Sequence, residues 1–139
     1  MGKVLPITEE PQEDWYGALL LRQSECSELD DASRETFNRG FEAAAAGSLK
    51  DAFRIYHDLA DEGCAISQYY LGVMYLKGAG TLQDFCQAHM WLNIAASRGH
   101  RKASKKLEYL TRKMTGDQLA EAQKLARDWI SEHQETRSG

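Results

Sequence analysis

Cys86 and His89 stand three residues apart, and Cys64 and His57 add a further thiol and imidazole, the donor types that bind zinc. Zinc needs three or four such donors converging on one point. The repeat frame described below sets Cys86 in the loop ahead of one helix and His57 midway along another, so no metal site is expected. Nor does the chain offer a catalytic constellation. Its four histidines, His57, His89, His100 and His133, fall in no Ser/His/Asp or Cys/His motif, and no pair of acids stands apart from ordinary surface charge. Gly78-Ala79-Gly80 is too short for a phosphate loop and follows a helix, whose negative dipole end repels phosphate. Met74 and Met90 lie in apolar stripes and read as core residues. The expectation is a non-enzyme without a cofactor.

Charge is the chemistry that remains. The 139 residues carry a net charge of −4, which argues against general affinity for nucleic acid. That charge is unevenly spread. Residues 1–31 hold Glu9, Glu10, Glu13, Asp14, Glu25, Glu28, Asp30 and Asp31 against Lys3 and Arg22, a balance of −6. Residues 98–113 hold Arg98, Arg101, Lys102, Lys105, Lys106, Arg112 and Lys113 against Glu108, a balance of +6. No apolar run is longer than the four residues of Ala18 to Leu21, far too short to enter a bilayer, so no membrane insertion is expected. With no apolar leader segment near Lys3 the expected compartment is the cytoplasm, or the periplasm or exterior if a leader has been removed. Three cysteines (Cys26, Cys64, Cys86) leave at least one unpaired, the usage of a reducing compartment.

The elements that must position these charges repeat along the chain. An offset of 36 pairs Ala52 with Ala88, Ile55 with Trp91, Tyr56 with Leu92, Ala60 with Ala96 and Gly63 with Gly99. Phe37 and Gly40 precede the first copy as Tyr69 and Gly72 precede the second, whose loop is four residues longer. Ala88, Trp91, Leu92, Ala95 and Ala96 fall at i, i+3, i+4, i+7 and i+8, one stripe of a helix. Each stripe ends at a glycine, Gly63 or Gly99, suited to the left-handed position past a helix end. The helix before the second stripe is predicted over Ala65 to Lys77, closed by Gly78 and Gly80. No strand-type alternation of useful length is seen. The unit is an antiparallel helix pair, and stacked pairs bury a continuous core.

Thr115-Gly116-Asp117-Gln118 fits a capping box, opening a helix that buries Leu119, Ala122, Leu125, Ala126, Trp129 and Ile130. Residues 1–30 read as an acidic, partly disordered arm, in which 14–24 could form an extra helix. Copy 1 covers about 31–64, copy 2 about 65–100 and a C-terminal capping hairpin about 101–132, with 133–139 a disordered tail.

The second copy resembles the Sel1-like repeat family, relatives of the tetratricopeptide repeat. It reads Gln68-x-x-Leu71-Gly72-x-x-Tyr75-x-x-Gly78-x-Gly80-x-x-x-Asp84-x-x-x-Ala88-x-x-Trp91-x-x-x-Ala95-Ala96-x-x-Gly99-x-x-x-Ala103. The first copy is a degenerate version around Gly40, and the resemblance extends over about 31–132. It implies an all-α, right-handed solenoid of six helices, or seven with the arm. It also implies a protein-binding scaffold or adaptor with no reaction of its own.

In the tetratricopeptide arrangement the first helix of each pair lines a concave groove. Counting from the glycines, that frame points to Phe37, Phe41, Tyr69, Val73 and Lys77, then to Lys102, Lys105, Tyr109 and Lys113. Such a groove is apolar and aromatic at one end and basic at the other, suited to a peptide with acidic groups. Two plainer readings stay open: the aromatic and apolar positions pack within the stack, and the lysines form a solvated helix face. A further option is that the basic helix docks the chain's own acidic N-terminus. The favoured function is an adaptor. A dedicated inhibitor or immunity-type protein is the main alternative, a nucleic-acid binder is disfavoured, and a homodimer is compatible with so few repeats.

Overall fold

The structure, a computed structural model, describes residues 30–138; the expectations for the arm, including a helix over 14–24, lie outside the described residues. Six helices follow one another: α1 Asp31–Ala45, α2 Leu49–Asp61, α3 Ala65–Lys77, α4 Phe85–Ser97, α5 Arg101–Thr111 and α6 Gly116–Ser138. The described residues are all-α, a short solenoid of packed helices. The last helix continues to Ser138, past the point at which the sequence suggests a polar tail.

Every helix except α2 starts where a side chain satisfies one of its first free N–H groups; at α2 the Ser48 hydroxyl donates to the Asp51 carboxylate instead. Asp30 accepts from the Ser33 amide at 2.8 Å, and Asp84 from the Gln87 amide at 3.0 Å. The capping box forms in full at α6, with the Gln118 amide donating to Thr115 Oγ1 at 3.1 Å and the Thr115 amide to Gln118 Oε1 at 3.0 Å. Less expected caps serve α3 and α5: the Cys64 sulfur accepts from the Ser67 amide, and His100 Nδ1 from the Ala103 amide at 3.3 Å.

Packing follows the order of the chain through α1·α2, α2·α3, α3·α4 and α4·α5, and α6 returns to lie on α4. Helix α4 is therefore covered by α3, α5 and α6, which explains why Ala88, His89, Met90, Trp91 and Leu92 are all buried. One core cluster runs through α1 to α5, from Phe37 and Tyr56 to Leu110. A second forms where Leu125, Ala126, Trp129 and Ile130 of α6 meet Ala60, Leu71, Met90, Trp91 and Ile94.

Two glycines allow this stacking. A Cβ on Gly72 would stand 2.8 Å from Leu92 Cγ, so the glycine permits the α3·α4 approach. Gly80, at φ +78°, lies against the Leu49 carbonyl at the start of α2, folding the longer loop back onto the first copy. The turns at Gly63 and Gly99 are joined across copies by Arg98, whose guanidinium donates to the Gly63 carbonyl.

Candidate partner-binding face

The basic residues of 98–113 are placed by α5. Its apolar side, Ala103, Leu107 and Leu110, joins the core, which leaves Lys102, Lys105 and Tyr109 on another side at helical spacing. Lys113 follows just past the helix end, and its Nζ lies 5.4 Å from the centre of the Tyr109 ring, a cation–π distance. Lys105 and Lys113 are exposed, while Lys102 and Tyr109 are half-buried. The start of the helix is fixed by His100, whose ring stacks on Tyr69 of α3 with centroids 4.7 Å apart and planes 21° apart. With Nδ1 accepting the Ala103 amide, the cap requires the Nε2–H tautomer whenever His100 is neutral.

Helix stability does not account for the charges at the start of α5. The first turn of α5 contains Arg101 and Lys102 and no acid, and its last turn contains no base. Arg101 and Lys102 therefore oppose the helix dipole, whereas Arg112 at the C-cap and Lys113 just beyond it suit its negative end.

The remaining expected groove residues divide. Lys77 is exposed at the last turn of α3, and Phe41 is half-buried at the edge of the core. Phe37, Tyr69 and Val73 are only 2%, 5% and 2% exposed and offer a partner almost no surface. Their side chains fill the seams between successive first helices. Phe37 of α1 stands edge-on to Tyr56, 5.4 Å away, and 6.3 Å from Tyr70 of α3, while Tyr69 is covered by His100. A frame that gives the direction of a side chain does not show that the next first helix closes over it. The apolar end of the expected groove is thus core, and the basic end is surface.

The four residues weighed as zinc donors serve separate contacts. His57 lies edge-on to Trp91 at 6.0 Å, and Cys64 caps α3. The Cys86 thiol points at the Gln118 carbonyl at 3.6 Å; burial pushes it above the usual thiol range, and Asp84 and Glu121 add to the shift. His89 is 3% exposed, with its Nε2 3.3 Å from Thr111 Oγ1. The Thr111 hydroxyl already donates to the Leu107 carbonyl at 2.7 Å, so it accepts from Nε2–H of His89. Burial holds the His89 imidazole below the ordinary histidine range. Among the described residues no group of three metal-type donors comes together.

Sequence reasoning missed the closure of α6. Trp129 stands edge-on to Trp91 at 5.7 Å, donates from Nε1 to Asp61 Oδ1 at 3.0 Å and carries the His133 ring stacked at 3.7 Å. No local signal links Asp61 to residues about seventy positions further along the chain.

With this geometry in view, known proteins offer a direct comparison. Residues 65–100 match the Sel1 repeat family model. A protective antigen of uropathogenic Escherichia coli strains, solved as a crystal structure displaying an SLR fold, superposes with a TM-score of 0.65 at 22% identity. That match covers 84% of this chain and 24% of the other. The chain carries a Sel1 repeat over residues 65–100 within a Sel1-like repeat fold. Chitin synthase regulatory factor 3 of Schizosaccharomyces pombe is 36% identical over 69 residues, half of this chain but 7% of its own length. The Sel1-like architecture is that of a protein-interaction scaffold, and its members bind other proteins. Among the described residues no helix is long and apolar enough to cross a membrane.

Proposed function

We propose that this Sel1-like repeat protein is a non-catalytic adaptor that binds an extended acidic segment of a partner protein along α5. The observation behind this reading is the line Lys102, Lys105 and Tyr109 on one side of α5, with Lys113 just past its end and its Nζ near the Tyr109 ring. From Lys102 to Thr111 the helix rises about 14 Å and Lys113 lies just beyond, a length that about five extended residues span, so acids towards the two ends of such a segment would meet Lys102 and Lys105 at one end and Lys113 at the other. Tyr109 would receive an apolar or aromatic side chain between them. Lysines supply orientation and on-rate, and the ring supplies residence time. The regulatory factor that shares half of this chain is named for control of another protein, which suits an adaptor better than an enzyme.

The test is capture of extended acidic peptides carrying an aromatic residue, comparing wild type with Lys105→Glu/Lys113→Glu. Both lysines are exposed, so the helical signal and melting should be unchanged while capture is lost. Capture that survives the charge reversal overturns the reading. One tight partner whose own activity falls on binding would identify a dedicated inhibitor instead.

A further inference from the structure

We infer that the chain's own acidic segment, residues 9–16, docks on the lysine face of α5 in cis and competes there with a partner's acidic segment. This rests on the adaptor reading and adds an occupant that regulates it. The segment reads Glu9-Glu10-Pro11-Gln12-Glu13-Asp14-Trp15-Tyr16. It contains four acids, no base and two adjacent aromatic residues, the chemistry that the lysines and Tyr109 would select in a partner. It is also the densest acidic stretch in a region whose balance is −6, opposite in sign to the +6 of residues 98–113. The unopposed Arg101 and Lys102 in the first turn of α5 leave positive charge and dipole together, where acids are stabilised.

Topology puts the segment within reach. Phe37, the seventh residue of α1, meets Tyr70, the sixth of α3, and Tyr69 in turn meets His100 at the start of α5. Successive helices joined by short turns and packed on each other alternate in direction, so α1, α3 and α5 run the same way, linked by these ring contacts, and the chain enters α1 at Asp30 on the side where α5 begins. Two interhelix steps separate α1 from α5, about 16–20 Å. The 14 residues from Tyr16 to Asp30 can stretch to about 46 Å, and a random coil of that length would average about 20 Å end to end. A linker whose mean length matches the span gives the highest effective concentration, in the millimolar range.

The test uses the full chain with a nitroxide at Gln12→Cys, in a background of Cys26→Ser, Cys64→Ser and Cys86→Ser. Amide spectra report folding of each variant. At low salt the label should broaden amides of residues 102–113. That broadening should vanish at about 0.5 M salt, where the screening length is about 4 Å. It should also vanish when Glu9, Glu10 and Glu13 become Gln and Asp14 becomes Asn. Broadening that is absent, or centred elsewhere, overturns the inference. Broadening of an unlabelled copy by a labelled one places the segment in a second molecule and overturns it as well.

Competition is read separately with a free peptide of residues 9–16. The four-acid variant should bind it about tenfold tighter than wild type, as expected for an effective concentration ten times the dissociation constant. Equal affinity for the two chains overturns the competition. A peptide that binds neither chain, with the broadening intact, defeats the adaptor reading and leaves the cis contact standing.

Discussion

Trp129 on α6 donates its indole N–H to the Asp61 carboxylate at the end of α2, tying the last helix to the first helix pair. The His133 ring covers the indole, and its Nδ1 lies 2.8 Å from the Trp129 carbonyl. Trp129→Phe keeps an apolar ring against Trp91 but removes the donor, and Asp61→Ala removes the acceptor. Each should lower unfolding free energy by about 0.5–1 kcal/mol, because the bond is partly exposed. A double-mutant cycle in denaturant should give a coupling of similar size. Trp129→Ala should cost about 2–3 kcal/mol, since it also removes ring burial. Additive single effects would show that the bond contributes nothing.

Acid should weaken the fold through His89. Its imidazole is buried, donates from Nε2 to Thr111 and has no partner for Nδ1. Protonation would add a charge and an N–H without an acceptor. The folded-state pKa is depressed, so the unfolded chain takes up the proton first. The stability contribution is complete above about pH 6.5 and falls as pH drops below that value, by at most about 1.4 kcal/mol per pH unit. His89→Gln should flatten this part of the stability curve, measured by denaturation between pH 4.5 and 7.5. Parallel curves for the two proteins would refute the assignment.

The second copy could be read from sequence because its signals are local. The Ala88–Ala96 stripe, the end of the helix at Gly78 and the Thr115–Gln118 box each depend on residues within one or two turns, and each is present in the structure. What could not be read is what covers a side chain. Tyr69 and Val73 point from the side of α3 that the repeat frame assigns to the groove, yet they are buried. His89 lies among Ala88, Met90, Trp91 and Leu92, and the lack of a polar side on that helix was the available sign that it is enclosed. The Asp61–Trp129 bond depends on where α6 returns, which no repeat period encodes.

Gly80 should be the least replaceable of the turn glycines. A Cβ there would run into the Leu49 carbonyl, and φ is +78°. Backbone has no rotamer with which to yield, so Gly80→Ala should cost roughly 3 kcal/mol. Gly72→Ala meets Leu92, a side chain that can shift, and should cost about 1–3 kcal/mol. Gly47→Ala, at φ +90° with open space around it, carries only the left-handed penalty of about 1 kcal/mol. Melting temperatures should follow that order, and equal losses at Gly80 and Gly47 would mean that the loop does not rest on α2.

Binding kinetics should separate the lysines from the ring on α5. Lys105 and Lys113 act at a distance, so Lys105→Ala/Lys113→Ala should lower the association rate and flatten its dependence on salt, with a smaller change in dissociation. Tyr109 acts by contact, and Tyr109→Ala should leave association nearly constant while raising the dissociation rate about tenfold. Tyr109→Phe retains the ring beneath Lys113 and should behave close to wild type. Stopped-flow or surface-based measurement on an acidic, aromatic peptide gives both rates. If the lysine pair altered only dissociation, the charges would be contact groups and the steering role would fall; if Tyr109→Ala altered only association, the ring would lie outside the bound face.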